Sequence, residues 1–267
     1  MGAPSPSGGF APPPPPVGHG LLAGRTVLVT ASAGSGIGFA TARRCAEEGA
    51  RVMLSDAHER RLGEAAAALE RLTGARPPAC RCDVTREEDV RALAEAAIEE
   101  LGAVDVLVNN AGLGGHARVV DMTDAQWQRV LDVTLTGTFR MTRALLPHML
   151  ARGRGAIVNN ASVLGWRAQE GQAHYAAAKA GVMAFTRCVA MEAAPAGVRV
   201  NAVSPSLAMH ENLSKGMPAE LLEELRAREA FKRSAELFEV ANVIVFLASD
   251  YASYLTGEVI SVSSQHP

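Results

Sequence analysis

The sequence predicts an α/β protein: a single Rossmann-type domain built on a doubly wound parallel sheet of about seven strands. Three observations predict it. From Arg25 onward, short β-branched runs alternate with Ala- and Leu-rich helical stretches. That alternation implies a parallel sheet with helices on both faces, and right-handed crossovers wind it doubly. A glycine-rich turn, Thr30-Ala-Ser-Ala-Gly-Ser-Gly-Ile-Gly38, separates the first run from the first helical stretch. An acid, Asp56, closes the second run.

The elements follow in order. Residues 26–30 (TVLVT) form the first strand, and an Ala-rich helix runs to Gly49. Residues 51–55 repeat the strand signal, followed by a charged, Ala/Leu-periodic helix over 58–73. A third strand ends at Cys82, a helix covers 86–101, and residues 105–108 are the fourth strand. The next helix starts near Thr123 or Asp124, one of which caps it, and runs toward Leu150. The fifth strand (155–159), a long small-residue helix (173–193), the sixth strand (197–203), a helix (236–248) and a strand (258–262) complete the pattern. The rhythm breaks over 206–235, a stretch expected to cover a substrate with mobile Met and Leu side chains.

Residues 21–267 read as one domain. Ahead of them, seven of the 14 prolines fall before residue 18, among Gly and Ser. Residues 1–20 cannot bury enough apolar surface to order themselves and are expected to be a disordered tail.

Composition excludes several function classes. Of 267 residues, 26 are Lys or Arg and 28 Asp or Glu, for a net charge of −2. That balance argues against a nucleic-acid binder. Hydrophobic content of 48% with 20% charged residues is that of a folded domain. No run approaches the roughly 20 apolar residues of a membrane span, and no basic-then-apolar leader opens the chain. Four scattered cysteines (Cys45, Cys80, Cys82, Cys188) lack metal-site spacing, so reduced structural thiols in a cytoplasm, and no metal, are expected.

The glycine turn brings backbone N–H groups close to a phosphate, and the helix that follows adds positive charge at its N-terminus. Thr30, Ser32, Gly34, Ser35, Gly36 and Ile37 are the candidate contacts. Asp56 would accept hydrogen bonds from an adenosine ribose and repel a 2′-phosphate; Ala57, not Arg, follows it, which favours NAD over NADP. Tyr175 and Lys179 are four apart and share a helical face. A neighbouring ammonium is expected to lower the phenol pKa and make Tyr175 an acid–base near neutrality. Ser162, just after the fifth strand, would hold a substrate oxygen beside it.

On these residues the chain from about 22 onward resembles the short-chain dehydrogenase/reductase family. The glycine turn, Asn109-Asn-Ala-Gly112, Ser162, Tyr175, Lys179 and Thr256-Gly257 stand in the family's order. The resemblance implies a catalytic Ser162, Tyr175 and Lys179. Asp83 and Val84 would lie by the adenine. Asn109 would brace the sheet, and Asn110, Ala111, Gly112 and Pro205 would line the cofactor. Lys179 would also bind the nicotinamide ribose. It further implies a homotetramer or homodimer formed through the two long helices. Some positions depart from the family pattern. The turn is one residue longer, with Ala31 after Thr30; Thr134 replaces an Asn of a proton relay; Ser206 and His210 follow Pro205; and the end reads Val262-Ser-Ser-Gln265.

Residues 159–168 (NNASVLGWRA), the turn and the C-terminal segment also resemble actinobacterial reductases of steroid ring degradation, which act on a hydroindane-carboxyl-CoA. Trp166, Arg167 and His210 are then the candidate substrate contacts, Arg167 and His210, with Lys215, for its polar or CoA end. The function expected is hydride transfer between NAD(H) and a secondary alcohol or ketone on a bulky steroid-derived acyl-CoA. A 3-oxoacyl-thioester reductase, a polyol or sugar dehydrogenase, and a catalytically silent cofactor sensor remain open beside it.

Overall fold

The computed structural model describes residues 11–209 and 219–264. Seven strands form one parallel sheet: β1 (Thr26–Val29), β2 (Arg51–Asp56), β3 (Ala79–Arg81), β4 (Val106–Asn109), β5 (Gly155–Asn160), β6 (Val198–Pro205) and β7 (Val259–Val262). Their spatial order is β3-β2-β1-β4-β5-β6-β7. After β3 the chain crosses back over β1 to place β4 on its other side, so the crevice for a ligand opens at the carboxyl ends of β1 and β4.

The strands are nearly continuous apolar runs because helices cover both faces. On one face lie α1 (Ile37–Glu47), α2 (Glu59–Thr73) and the helix Leu237–Ala248, packed on Val27, Val29, Val52, Leu54, Val106 and Val108. On the other lie α3 (Glu87–Leu101), the helices following β4, and α6 (Ala173–Ala193), packed on Leu28, Met53, Leu107, Ile157 and Val200. Inward residues thus alternate along each strand.

Strand and helix bounds fall within two residues of the sequence reading, with one structural difference. The helix expected over 124–150 is α4 (Asp124–Leu131) and α5 (Gly137–Arg152), joined by a wider π turn, Asp132–Thr136. Thr123 caps α4 through a capping box with Gln126. After β6, the described chain holds one helix, α7 (Ala219–Arg228), before α8 (Leu237–Ala248).

Near the N-terminus, the His19 and Leu21 amides donate to Glu48 Oε2 at 2.8 and 3.0 Å, and Glu48 is paired with buried Arg44. Arg44 also donates to the Pro16 carbonyl, so the chain from about Pro16 is tied to the end of α1, within the stretch read as tail. The first ten residues lie outside those described.

Candidate active site

The β1–α1 turn is built from commitments inside the protein. Thr30 Oγ1 accepts from the Asn110 and Ala111 amides at 3.0 and 3.1 Å and donates to the Val108 carbonyl. Ser32, fully buried, exchanges hydrogen bonds with the Ser55 backbone. Both are cofactor contacts in the sequence reading; in the structure their hydroxyls hold the turn to β4 and β2. Ala31 takes a left-handed φ of 49°, a conformation costing about 1 kcal/mol without glycine. Its carbonyl accepts from Asn110 Nδ2 at 3.0 Å. Gly38 must lack a side chain, since a Cβ there would meet the Ala31 carbonyl and Asn110 Nδ2.

Residues at the turn fit a dinucleotide. Gly34, at φ 86°, and Gly36 face open space, and Ser35 is exposed between them. α1 starts at Gly36 with no side-chain cap and no acid in its first turn, so its first N–H groups, from Ile37 onward, are available to an anion. Asp56 stands at the end of β2: Oδ2 accepts from the Ala33 amide at 3.3 Å and Oδ1 from the His58 amide at 2.9 Å. Burial raises its carboxyl above the ordinary range, against these N–H donors. Arg61 stands 4.0 Å from Oδ1, a neighbour that inspection of Ala57 alone did not find. Asp83 Oδ1 is taken up by Thr85, while Val84 is buried against Gly137. Pro205 is buried at the end of β6.

At the carboxyl ends of β4 and β5, asparagines form a clasp. Asn109 Nδ2 donates to Asn159 Oδ1 at 2.9 Å and Thr142 Oγ1 at 3.1 Å, and Asn159 Nδ2 donates to Thr186. Asn160 Nδ2 donates to Asn110 Oδ1 at 2.9 Å. Asn160 went unnoticed in the sequence; its signal was a polar pair ending an apolar strand.

Onto this rim α6 delivers the chemistry. Ser162 Oγ accepts from the Leu164 amide at 3.2 Å, and its hydroxyl stands beside the Tyr175 phenol. Lys179 is buried, its ammonium 2.5 Å from the Asn160 carbonyl and 5.6 Å from the Tyr175 ring centre. Burial pushes Lys179 down to about 8. Burial also raises Tyr175 above its ordinary value, with only the Ser162 hydrogen bond opposing it. The expected lowering by Lys179 is therefore corrected: in the protein alone, burial dominates and raises the phenol.

The loop after β4 roofs this site. Gly112 lies against Lys179, Gly114 against Tyr175 and Gly115 against buried His174. Thr134, in the π turn, accepts from the Leu113 amide at 3.0 Å and donates to the Leu113 carbonyl at 3.3 Å, fixing the loop between those glycines. Trp166 and Arg167 do not join the Ser162–Tyr175 point; they line a neighbouring cavity. His210 and Lys215 lie outside the described residues.

Comparisons with known proteins agree with this geometry. Residues 31–264 match the short-chain dehydrogenase model described as enoyl-(acyl carrier protein) reductase. The chain is 63% identical over 251 residues to (5R,7aS)-5-hydroxy-7a-methyl-1-oxo-2,3,5,6,7,7a-hexahydro-1H-indene-carboxyl-CoA reductase of Mycobacterium tuberculosis, covering 94% of this chain and 96% of that one. It is 44% identical to cis-4-hydroxycyclohexanecarboxylate dehydrogenase of Sinomonas cyclohexanicum, over 88% of this chain and 94% of that one. A solved short-chain dehydrogenase from Mycobacterium smegmatis superposes with a TM-score of 0.85 at 57% identity, over 96% and 98% of the two chains. A doubly wound sheet, a Ser–Tyr pair beside a buried lysine and these matches lead to one conclusion: the chain belongs to the short-chain dehydrogenase/reductase family of nicotinamide-dependent oxidoreductases.

Proposed function

We propose that the protein interconverts a ring ketone and secondary alcohol on a bulky steroid-derived acyl-CoA of the hydroindane-carboxyl type, using NAD(H). The observation that carries the chemistry is the pairing of the Ser162 and Tyr175 hydroxyls beside buried Lys179. The relative at 63% identity, whose name gives the substrate, supports the substrate class, and the cyclohexane-ring relative supports a cyclic alcohol.

NAD(H), when bound, supplies or accepts the hydride. The remaining work falls to the chain. Gly34, Ser35, Gly36 and Ile37 would hold the pyrophosphate, Asp56 the adenosine ribose, Asp83 and Val84 the adenine side, and Asn110, Ala111, Gly112 and Pro205 the nicotinamide half. Ser162 donates to the substrate oxygen and orients it. Tyr175, kept neutral by burial, is in the correct state to give its proton to a ketone oxygen, which suits the reductive direction. Lys179 would hold the nicotinamide ribose and, as the phenolate forms, stabilise its charge. Trp166 and Arg167 belong to the substrate side.

Exposed Trp127, Phe139 and Met191, on α4, α5 and α6, support a homotetramer or homodimer through these helices. A cytoplasmic location fits the four free thiols.

The test is nicotinamide absorbance during turnover of hydroindane-carboxyl-CoA ketones beside 3-oxoacyl-CoAs and polyols. Preference for the bicyclic thioester is expected; faster turnover of 3-oxoacyl-CoAs would reassign the substrate, and no turnover across the panel would leave a cofactor sensor. The Asp56→Asn variant should shift preference toward NADPH by about tenfold or more, because it removes the repelling charge and leaves Arg61 for a 2′-phosphate. An unchanged NADH-to-NADPH ratio would contradict the role given to Asp56.

A further inference from the structure

Asn160 is a polar residue in an apolar row. It continues Ala156 and Val158 along β5 and stands in register with Val203 on β6, and all three of these are buried in one core. Packing alone would put another apolar side chain there. The hydrogen bonds around it show why an amide stands there instead. Asn110 Nδ2 donates to the Thr30 and Ala31 carbonyls at 3.3 and 3.0 Å, so the nitrogen of that amide faces the β1–α1 turn and its oxygen faces away. The oxygen accepts from Asn160 Nδ2 at 2.9 Å. Asn110 therefore dictates which way the Asn160 amide points. Asn160 Oδ1 is left buried, with no hydrogen-bond partner among the described residues. An unanswered buried acceptor destabilises a fold, so its presence at the catalytic rim calls for an explanation.

The explanation lies in what Asn160 joins. Its backbone carbonyl accepts from the buried Lys179 ammonium at 2.5 Å. Its side chain reaches the β1–α1 turn through Asn110. The Ala31 carbonyl and Asn110 Nδ2 are also the atoms that a Cβ on Gly38 would strike, so the first turn of α1 rests on the same amide. Asn160 thus stands between the start of α1, the seat proposed for the pyrophosphate, and the lysine proposed for the nicotinamide ribose. A dinucleotide must meet both at once. Two amides of fixed orientation, not a loop, connect them.

We infer that Asn160 is a positioning residue: its carboxamide, clasped to Asn110, sets the Lys179 ammonium at the separation from the β1–α1 turn that a nicotinamide dinucleotide spans. The inference rests on the reading of Lys179 as a contact of the nicotinamide ribose, and it names the group that places that contact. Asn160 acts through its carbonyl on Lys179.

The experiment titrates NADH and ADP separately, by calorimetry, into the parent, Asn160→Val, Lys179→Met and the double variant. Valine suits a strand in an apolar row and stops short of Asn110. Should that chain fail to fold, Asn160→Thr, also too short for the bond, replaces it. ADP carries the adenosine and the pyrophosphate but no nicotinamide ribose. Asn160→Val should bind NADH about tenfold more weakly, the loss of one well-placed charge-assisted contact, and should bind ADP within about twofold of the parent. In the Lys179→Met background the same substitution should change NADH affinity by less than about twofold, because the group it positions is gone. Equal weakening of ADP and NADH would mean that Asn160 only supports the turn, and would overturn the inference. So would unchanged NADH affinity in Asn160→Val. If Lys179→Met binds NADH as the parent does, the cofactor role of Lys179 fails and the inference falls with it. If Lys179→Met binds NADH weakly and Asn160→Val adds its full tenfold loss on top, the inference alone is overturned.

Discussion

The rim formed by β4 and β5 and the segment that follows β6 both flank the crevice at the carboxyl edge of the sheet, yet they are held in opposite ways. The rim is a polar lock: Asn109, Asn159, Asn160 and Asn110 bond to one another and to Thr142, Thr186 and Lys179. The ties of the later segment, among its described residues, are different ones. Ala208 bridges to Ala235, the Ala230 amide donates to the Ser264 carbonyl at 2.8 Å, and Ser264 Oγ donates to Glu229 at 2.8 Å. The contrast separates two jobs. Proton transfer needs fixed geometry, and the rim supplies it; the later segment carries the proposed recognition of the ring system.

The contrast can be broken first at Lys179. The Lys179→Met variant should lose about 100-fold or more in turnover, because it removes the cation beside the phenolate. The pH dependence sharpens this. Burial holds Lys179 near 8, while an unfolded lysine titrates near 10.5. Between those values the unfolded chain binds more protons, so stability rises with pH while the site loses its charge. Cofactor affinity, followed by nicotinamide fluorescence, should weaken as pH rises through about 8 in the parent and stay flat in the methionine variant. A parallel decline in both would remove Lys179 from the cofactor's contacts.

Second in size is the lock itself. Asn159→Leu strips partners from Asn109 and Thr186 inside the core and should cost about 2–4 kcal/mol in urea unfolding. A loss below about 0.5 kcal/mol would mean the asparagines are not what holds the rim. The smallest effect belongs to the other region. Ser264→Ala removes one bond from Glu229, which has further partners, and should cost about 1 kcal/mol or less. It should raise the substrate KM a few-fold and leave cofactor affinity alone. A change in cofactor affinity would show that the two regions are coupled.

The same contrast explains what the sequence revealed. Strands were legible because apolar β-branched runs sit between glycines; of the rim, Asn109 and Asn110 were legible through the family resemblance, and Asn159 and Asn160 were not. Ser162, Tyr175 and Lys179 were legible through spacing. The π turn at Thr134 was not, because one widened turn leaves the apolar periodicity of a long helix almost unchanged. Burial was equally hidden: the sequence shows Lys179 four residues from Tyr175 but not the desolvation that raises the phenol. For Ser32, a hydroxyl in a glycine turn looks the same in the sequence whether it faces a phosphate or the Ser55 backbone, to which it is bonded. The segment after β6 has neither period nor spacing to read.

The central claim is that the Tyr175 phenol gives the proton during reduction. Single-turnover reduction of a hydroindane-carboxyl-CoA ketone by the cofactor-loaded Tyr175→Phe variant measures it most directly, with cofactor binding followed in the same sample. Cofactor binding at the parent's affinity with a rate lower by about 100-fold or more is expected. Reduction at the parent's rate would contradict the claim.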